Sequence, residues 1–223
     1  MAYLLHIESA ITGASVCLSH DDELLSLEST EAQKDTAAWL HLAIRGLLGS
    51  KGLKPADLAA VSVGMGPGSY TGLRVGYSAA KGLCYALRIP LIAIGTLDAM
   101  FDAGSGLGED FRIPLIDARR MEVFTAAYRR DGLQLVPPSN LILDAASFQA
   151  LLEQGTVAFY GSGAAKFSTV CTHSNAQFPE VRFNASHLIK RAWERFQNGE
   201  FTDLAYSEPY YGKDFHSLAK YSL

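Results

Sequence analysis

The chain has 223 residues, of which 48% are hydrophobic and 19% are charged. This composition is typical of a folded globular protein with one large or two small domains, and it excludes a disordered chain. Nineteen Lys and Arg against 23 Asp and Glu give a net charge of −4, which excludes a broad phosphate-binding surface of the chain's own. If nucleic acid enters its function, we expect another chain to hold it.

Targeting and redox signals are absent from the sequence. The first ten residues lack the basic and apolar regions of a secretory signal, and no apolar run approaches the roughly 20 residues that span a bilayer. Cys17, Cys84 and Cys171 are odd in number and lack Cys-x-x-Cys spacing. We therefore expect reduced core thiols, a cytoplasmic location and no membrane association.

Hydrophobic periodicity predicts two successive units, each with three strands, a helix and a further strand. The elements predicted in the first unit are strands Leu4–Glu8, Ala14–Ser19 and Leu24–Ser29, helix Glu31–Leu48, strand Ala60–Gly64, helix Tyr70–Leu87, strand Leu91–Ile94 and a short helix from Leu97. After the glycine-rich stretch Ala103–Gly108, the second unit is predicted to contain strands Ile113–Ile116, Val123–Tyr128 and about Leu133–Val136, helix Ala145–Glu153, strand Val157–Tyr160 and helix Ser186–Phe196. We predict a duplicated α/β fold with an N-terminal lobe over residues 1–103 and a C-terminal lobe over residues 109–223, whose last segment is free to pack back on the first lobe.

Each predicted unit opens with two strands joined by a short connection, at residues 9–13 and 117–120. In two-lobed folds of the actin and sugar-kinase type, such hairpins reach over the phosphates of a nucleotide held between the lobes. Connections rich in Gly, Ser and Asp are equally common as ordinary turns. The spacing alone leaves both interpretations open.

The stretch from Gly64 to Gly76 is the richest in glycine and lies between a predicted strand and a predicted helix. A strand-loop-helix of this kind can present backbone N–H groups to an anion. However, no Lys follows the glycines, and Ser69 or Thr71 falls where the last glycine of Gly-x-Gly-x-x-Gly would stand. The sequence therefore gives no support for phosphate binding at this loop.

Small residues also recur along one stripe of the helix that follows, at Gly72, Gly76 and Ala80. A helical glycine costs about 1 kcal/mol relative to alanine, so we expect close packing in return, either against the chain's own sheet or against another subunit. The preceding helix has apolar residues on two faces, which favours a partner surface. The predicted partner interface consists of Trp39, Leu40, Ala43, Ile44, Leu47, Gly72, Gly76, Ala80, Leu83 and Leu87.

Several segments together resemble a known family. They are Ala60–Gly76, Ala80–Leu83, Ile89–Leu91, Pro114–Phe124 and Ser207–Tyr211. Read along nearly the whole chain, they are similar to the bacterial TsaB (YeaZ) family. The most specific part is the signature loop Gly66, Pro67, Gly68, Ser69, Tyr70 and Thr71.

The resemblance implies a duplicated actin-like, RNase H-like fold and an accessory role in tRNA modification. It implies a non-catalytic partner of a TsaD-like enzyme, assembled as a heterodimer. That pair acts with a TsaE-like ATPase to transfer a threonylcarbamoyl group to the adenosine beside the tRNA anticodon. The implied chain holds no cofactor or metal of its own and reaches tRNA only through the complex. The same helices are available for a homodimer when the chain is alone.

Three residues and one loop bear on this assignment. In TsaD-type enzymes, a His-x-x-x-His pair that binds the catalytic metal follows the corresponding strand, whereas Thr96 and Met100 stand there in this chain; neither replaces an imidazole ligand. Glu8 stands where the family usually has Asp, which weakens a metal-nucleotide role further. Tyr160–Gly163 resembles the adenosine loop of the superfamily, although a lone Gly-x-Gly is most often a turn.

Two other functions make different demands on the sequence. A free-standing sugar-kinase-like ATPase or phosphotransferase needs a carboxylate base and a phosphate loop, and Asp117 is the one well-placed candidate for the base. A metallopeptidase needs a ligand cluster such as His-Glu-x-x-His, which the six histidines do not form.

Overall fold

The computed structural model describes residues 1–11, 13–31 and 36–212. The strands are β1 (Tyr3–Glu8), β2 (Ala14–His20), β3 (Glu23–Thr30), β4 (Leu58–Gly64), β5 (Leu91–Ile94), β6 (Phe111–Asp117), β7 (Glu122–Arg129), β8 (Gln134–Ile142), β9 (Val157–Tyr160) and β10 (Ala176–Gln177). The helices are α1 (Thr36–Ser50), α2 (Tyr70–Leu87), α3 (Thr96–Ala103), α4 (Gln149–Leu152), α5 (Ala164–Ser168) and α6 (Ile189–Asn198), with 3-10 turns at Pro55–Asp57 and Ala185–Leu188.

The strands of the described residues form two five-stranded sheets with equivalent topology. The first sheet has the order β3-β2-β1-β4-β5 and the second has the order β10-β9-β6-β7-β8. In each sheet the first three strands of the unit are antiparallel neighbours, and the later two add in parallel. The duplicated fold predicted from the sequence is therefore confirmed.

Each sheet has one face covered by helices from its own half of the chain. On the first sheet, α1 and α2 pack over alternate residues of the parallel strands, including Leu5, Ile7, Val61 and Val63. On the second sheet, α4 and α5 cover Ile113, Leu115 and Phe159, among others. Successive side chains of a strand point to opposite faces of the sheet, so alternate residues of these strands form one core on each sheet.

The opposite face of each sheet is covered by an element from the other half of the chain. Helix α3 of the first half packs on the second sheet, where Leu97, Met100 and Phe101 meet Ile116 and Tyr160. The 3-10 turn Ala185–Leu188 and α6 of the second half pack on the first sheet. Arg191 of α6 also pairs with Asp102 of α3, with Nε 2.5 Å from Oδ2. The two units are therefore joined by exchanged helices rather than by the linker alone.

The predicted elements differ from the structure mainly in the second half. The helix predicted over Ala145–Glu153 is reduced to α4, because the Asp144 and Ser147 side chains bond to nearby groups and Phe148 takes a left-handed conformation with φ 62°. Helix α5 and strand β10 were not predicted, since both are too short to show periodicity. Helix α1 begins at Thr36 rather than Glu31 in the described chain, and residues 32–35 lie outside it.

The segment after α6 crosses back over the first sheet. Thr202 bonds to Leu91 and Ala93 of β5, and Lys81 of α2 donates to the carbonyls of Ala205 and Ser207.

None of the helices in the described part of the chain has both the length and the apolar character of a membrane-spanning segment.

Candidate functional site

The signature loop joins β4 to α2, and its backbone amides are hydrogen-bonded to two neighbouring parts of the chain. Gly66 N donates to Thr96 Oγ1 (3.1 Å) and Ser69 N donates to the Ala10 carbonyl (2.6 Å). Ser69 also caps α2, since its hydroxyl accepts from Gly72 N. The Gly66 and Ser69 amides are therefore not available to a phosphate, and these two residues tie the loop to its neighbours.

The C-terminal segment covers the same loop from outside. Tyr210 N donates to the Met65 carbonyl (2.7 Å), and the Tyr211 ring lies 4.8 Å from the Tyr70 ring between centroids. Gly66 has φ +103°, and a Cβ there would overlap the Tyr210 carbonyl. Glycine is required at this position both for its conformation and for the close approach of the segment.

The glycine stripe of α2 packs inside the lobe. A Cβ at Gly72 would overlap the Ser9 carbonyl. In the loop before α2, a Cβ at Gly68 would likewise overlap the Ala10 carbonyl. At Gly76 it would overlap Ser9 Oγ, which donates to the Gly72 carbonyl (2.8 Å). Because these glycines have no side chain, the residues that follow β1 can pack directly against the backbone of α2 and of the loop before it. Of the two packing alternatives that the sequence left open, Gly72 and Gly76 thus lie against the chain's own first sheet.

The ten residues of the predicted partner interface are mostly enclosed by the lobe. Those buried are Leu40, Ala43, Ile44, Leu47, Gly76 and Ala80. Those partly buried are Trp39, Gly72, Leu83 and Leu87, of which the three large side chains pack against the same core. The two apolar stripes of α1 and α2 face each other and the sheet, because both helices lie side by side over it. The six buried positions therefore contribute to the core of the lobe itself.

A different surface of the same helices is open. A groove of about 530 Å³ runs between them, lined by Ala37, His41, Arg74, Val75, Ser78, Ala79, Gly82 and Leu83. Leu42 and Tyr85 are exposed on these helices, with 59% and 80% of their surface accessible. Among the described residues, no heavy atom lies within 4 Å of where a Gly82 Cβ would be. Sequence reasoning missed Gly82, although its signal was there: an interior helix glycine without a partner on the predicted stripe.

Thr96 and Met100 have structural roles. Thr96 is fully buried at the start of α3, where it exchanges hydrogen bonds with the backbone of Gly66. Met100 is 2% exposed in the apolar core between α3 and the second sheet. Among the described residues, no group of three or more His, Cys, Asp and Glu side chains is placed to hold a metal ion.

Asp117 lies at the end of β6 and is held by a cation. Lys166 Nζ is 2.6 Å from its Oδ1, which also accepts from Arg119 N. Partial burial raises the pKa of this carboxyl, but the hydrogen bonds from Lys166 and Arg119 outweigh it and keep the pKa below its ordinary value. A carboxylate held in this way is a poor general base.

The loop Tyr160–Gly163 packs against the same strand. Gly163 N donates to the Leu115 carbonyl, and Ser162 Oγ accepts from Asp117 N. A Cβ at Gly161 would overlap the Leu115 carbonyl and Met100. These glycines therefore serve contact within the chain.

Two polar side chains of β1 are buried on the face opposite α2. His6 lies between Ser62 Oγ and Ser19 Oγ, at 2.7 and 2.8 Å, and burial lowers its pKa to about 3. Glu8 is 2% exposed, and burial raises its pKa to about 7, opposed by hydrogen bonds from the Ala10 and Ser9 amides. Both groups therefore favour their neutral forms in the folded protein.

Comparison with known proteins adds to this description. A family model described as "TsaD: tRNA N6-adenosine threonylcarbamoyltransferase" matches residues 29–207. The chain is 34% identical over 144 residues to the Bacillus subtilis tRNA threonylcarbamoyladenosine biosynthesis protein TsaB, covering 63% of this chain and 62% of that one. It thus spans less than two thirds of that relative. It is also 34% identical over 167 residues to an uncharacterized protein of Mycobacterium tuberculosis, covering 74% of this chain and 75% of that one.

A solved structure shows the same fold. YeaZ from Pseudomonas aeruginosa superposes with a TM-score of 0.78 at 24% identity, covering 95% of this chain and 100% of that one. Taken with the paired sheets and exchanged helices, this likeness defines the chain as a duplicated two-lobed α/β protein. The chain belongs to the family that the matching model describes and, within it, to the TsaB (YeaZ) group.

Proposed function

We propose that this chain is a non-catalytic partner of a TsaD-like enzyme in threonylcarbamoylation of the adenosine beside the tRNA anticodon. The observation that carries the proposal is that Thr96 and Met100 make structural contacts within the chain. Where the resemblance to TsaD-type enzymes would place two metal-binding histidines, one side chain holds the signature loop and the other fills the core between the lobes. Membership of the TsaB group supports the same assignment.

The alternative of a sugar-kinase-like phosphotransferase has less support. Asp117 would have to act as the base, but it is paired with Lys166. The signature loop would have to bind phosphate, but its amides at Gly66 and Ser69 are bonded within the chain. Both features oppose phosphoryl transfer.

The proposed partner surface is the open groove between α1 and α2. An exposed helical glycine costs about 1 kcal/mol relative to alanine without any compensating contact in the chain, which is the situation of Gly82. The neighbouring Ser78 and Ala79 are also small, so the backbone of a partner helix can approach closely there. The same groove would serve self-association of the isolated chain.

Reconstitution tests the function. The chain, the organism's TsaD-like and TsaE-like proteins, threonylcarbamoyl-AMP and unmodified tRNA are combined, and each protein is omitted in turn. We expect modification to require this chain, and the chain alone to produce none and to bind tRNA only weakly, as its net charge of −4 indicates. Modification at an undiminished rate without the chain would refute the proposal.

Gly82→Leu tests the surface. In the isolated chain the added side chain enters open space. In the complex it would overpack the proposed contact between α2 and the partner, which costs about 1 to 3 kcal/mol of binding free energy. We expect affinity for the TsaD-like protein to fall about 5- to 150-fold, with the melting temperature of the chain unchanged or higher. Glu194→Leu, at an exposed position of α6 on the far side of the first sheet, is the control and should leave affinity unchanged.

A further inference from the structure

Helices α1 and α2 carry charges of one sign. Arg45, Arg74 and Lys81 lie on them together with His41, and neither helix contains an Asp or a Glu. The whole chain, by contrast, has a net charge of −4. The proposed partner surface therefore lies in a cationic region of an acidic protein.

Two of these groups line the groove between the helices. His41 is on the α1 wall and Arg74 is on the α2 wall, and both side chains are exposed. The other lining residues are small or apolar, and they include Val75 and Leu83. The groove thus combines apolar surface with exposed cationic side chains, and none of its lining residues is acidic.

The Arg74 side chain is held over a ring of its own helix. Its Nη1 donates to Tyr70 Oη at 2.8 Å, and its guanidinium carbon lies 5.1 Å from the centroid of the Tyr70 ring. Within residues 1–11, 13–31 and 36–212, no carboxylate forms an ion pair with Arg74. A guanidinium fixed in this way loses little conformational freedom on binding, and its other N–H groups suit a carboxylate.

We propose that the groove binds an amphipathic helix of the TsaD-like partner that presents an Asp or Glu carboxylate to Arg74, an inference that rests on the proposed function. The apolar face of that helix would pack on Val75 and Leu83, with its closest approach at Gly82, where no side chain intervenes. Gly82 follows Arg74 by eight residues, which is about 12 Å along α2 at about 1.5 Å per residue. The carboxylate therefore lies about two helical turns from the closest approach.

The same charges oppose pairing with a second copy of the chain. Two copies that meet through this groove bring the cations of α1 and α2 together, and neither helix supplies a carboxylate to balance them. Like charges placed opposite each other lower the affinity of that pairing and so favour a partner of complementary charge. Self-association is therefore the weaker of the two uses of this groove.

Calorimetric titration of the organism's TsaD-like protein with the full chain tests the charge. We expect Arg74→Gln to weaken binding at least about fivefold at about 50 mM NaCl and by a smaller factor at about 500 mM, where salt screens the pair. Arg74→Glu should weaken binding further, because a carboxylate then faces a carboxylate. Lys190→Gln, which removes a cation from an exposed position of α6, is the matched control and should change the affinity less than about twofold.

Sedimentation equilibrium of the chain alone tests the choice of partner. We expect self-association to be at least about tenfold weaker than binding to the TsaD-like protein. Equal or tighter self-association, or binding to the TsaD-like protein that Arg74→Glu leaves unchanged or improves, would overturn this proposal.

The same titration separates this proposal from the proposed function. If the unmodified chain does not bind the TsaD-like protein at all, the proposed function itself is refuted. If the chain binds and Gly82→Leu weakens binding while the Arg74 variants do not, the function and its surface stand and the acidic partner helix is wrong.

Discussion

At the scale of single residues, β1 carries two buried groups, His6 and Glu8, whose titrations change the stability of the fold in opposite directions as the pH rises. His6 has a pKa of about 3 in the fold against an ordinary 6.5, so the stability that its neutral form contributes is lost as pH falls below 6.5. Glu8 has a pKa of about 7 against an ordinary 4.5, so its contribution is complete below pH 4.5 and is lost as pH rises toward 7. Between pH 4.5 and 6.5 the two effects oppose each other.

Glu8→Gln separates the two titrations, because the His6 contribution is the same in both proteins and cancels. The free energy of unfolding of the variant, minus that of the unmodified chain, should increase by about 3 kcal/mol between pH 4.5 and pH 8. Urea denaturation at several pH values measures it. Glu180→Gln, at an exposed carboxylate, is the control and should show no such trend. A difference that stays flat for Glu8→Gln would show that Glu8 is ionised at little cost in the fold.

At the scale of the element, α2 shows how glycines on one helix serve different contacts. Gly72 faces the carbonyl of Ser9 inside the lobe, whereas Gly82 faces open space. In the sequence Gly72 belongs to a stripe of small residues and Gly82 does not, but this pattern does not show which of the two faces the core. The difference arises from the rotation of α2 about its axis, which the packing of Leu73, Tyr77 and Cys84 into the core sets.

The same substitution at both glycines should therefore give opposite results. Gly72→Ala places a methyl group against a backbone carbonyl, which costs about 1 to 3 kcal/mol as overpacking. Gly82→Ala should stabilise the chain by about 0.5 to 1 kcal/mol through helix propensity. Thermal and urea unfolding of the two variants measure this. Similar midpoints for both would contradict the inward placement of the glycine stripe.

At the scale of the whole molecule, the two lobes complete each other. Helix α3 covers the second sheet, and the 3-10 turn Ala185–Leu188 with α6 covers the first. Leu4, Ile92 and Ile94 of the first sheet are buried beneath these second-half residues. A boundary drawn at the glycine-rich linker therefore divides the sequence but not the packing.

We expect the chain to unfold in a single cooperative transition, although its sequence divides into two units. The fragment 1–103 should show no cooperative thermal transition by itself, because it loses the cover of one sheet face and exposes the α3 residues that pack on the other lobe. Adding the fragment 109–223 to the fragment 1–103 should restore a cooperative thermal transition. Two separable transitions, each reproduced by one fragment, would contradict this coupling.

The sequence by itself determined the family and the longer local elements, whereas the short α5 and β10 were not predicted. The bounds of α2 and β5 were predicted at both ends, because Ser69 caps the helix and a short continuous apolar run marks the strand. Only the tertiary structure decided what covers each face. Periodicity shows that Gly72, Gly76 and Ala80 share a stripe, but the distant end of β1 fills it. The burial of Glu8 and the core position of Met100 likewise depend on residues far away in the chain, because burial is set by long-range packing that a local pattern does not contain.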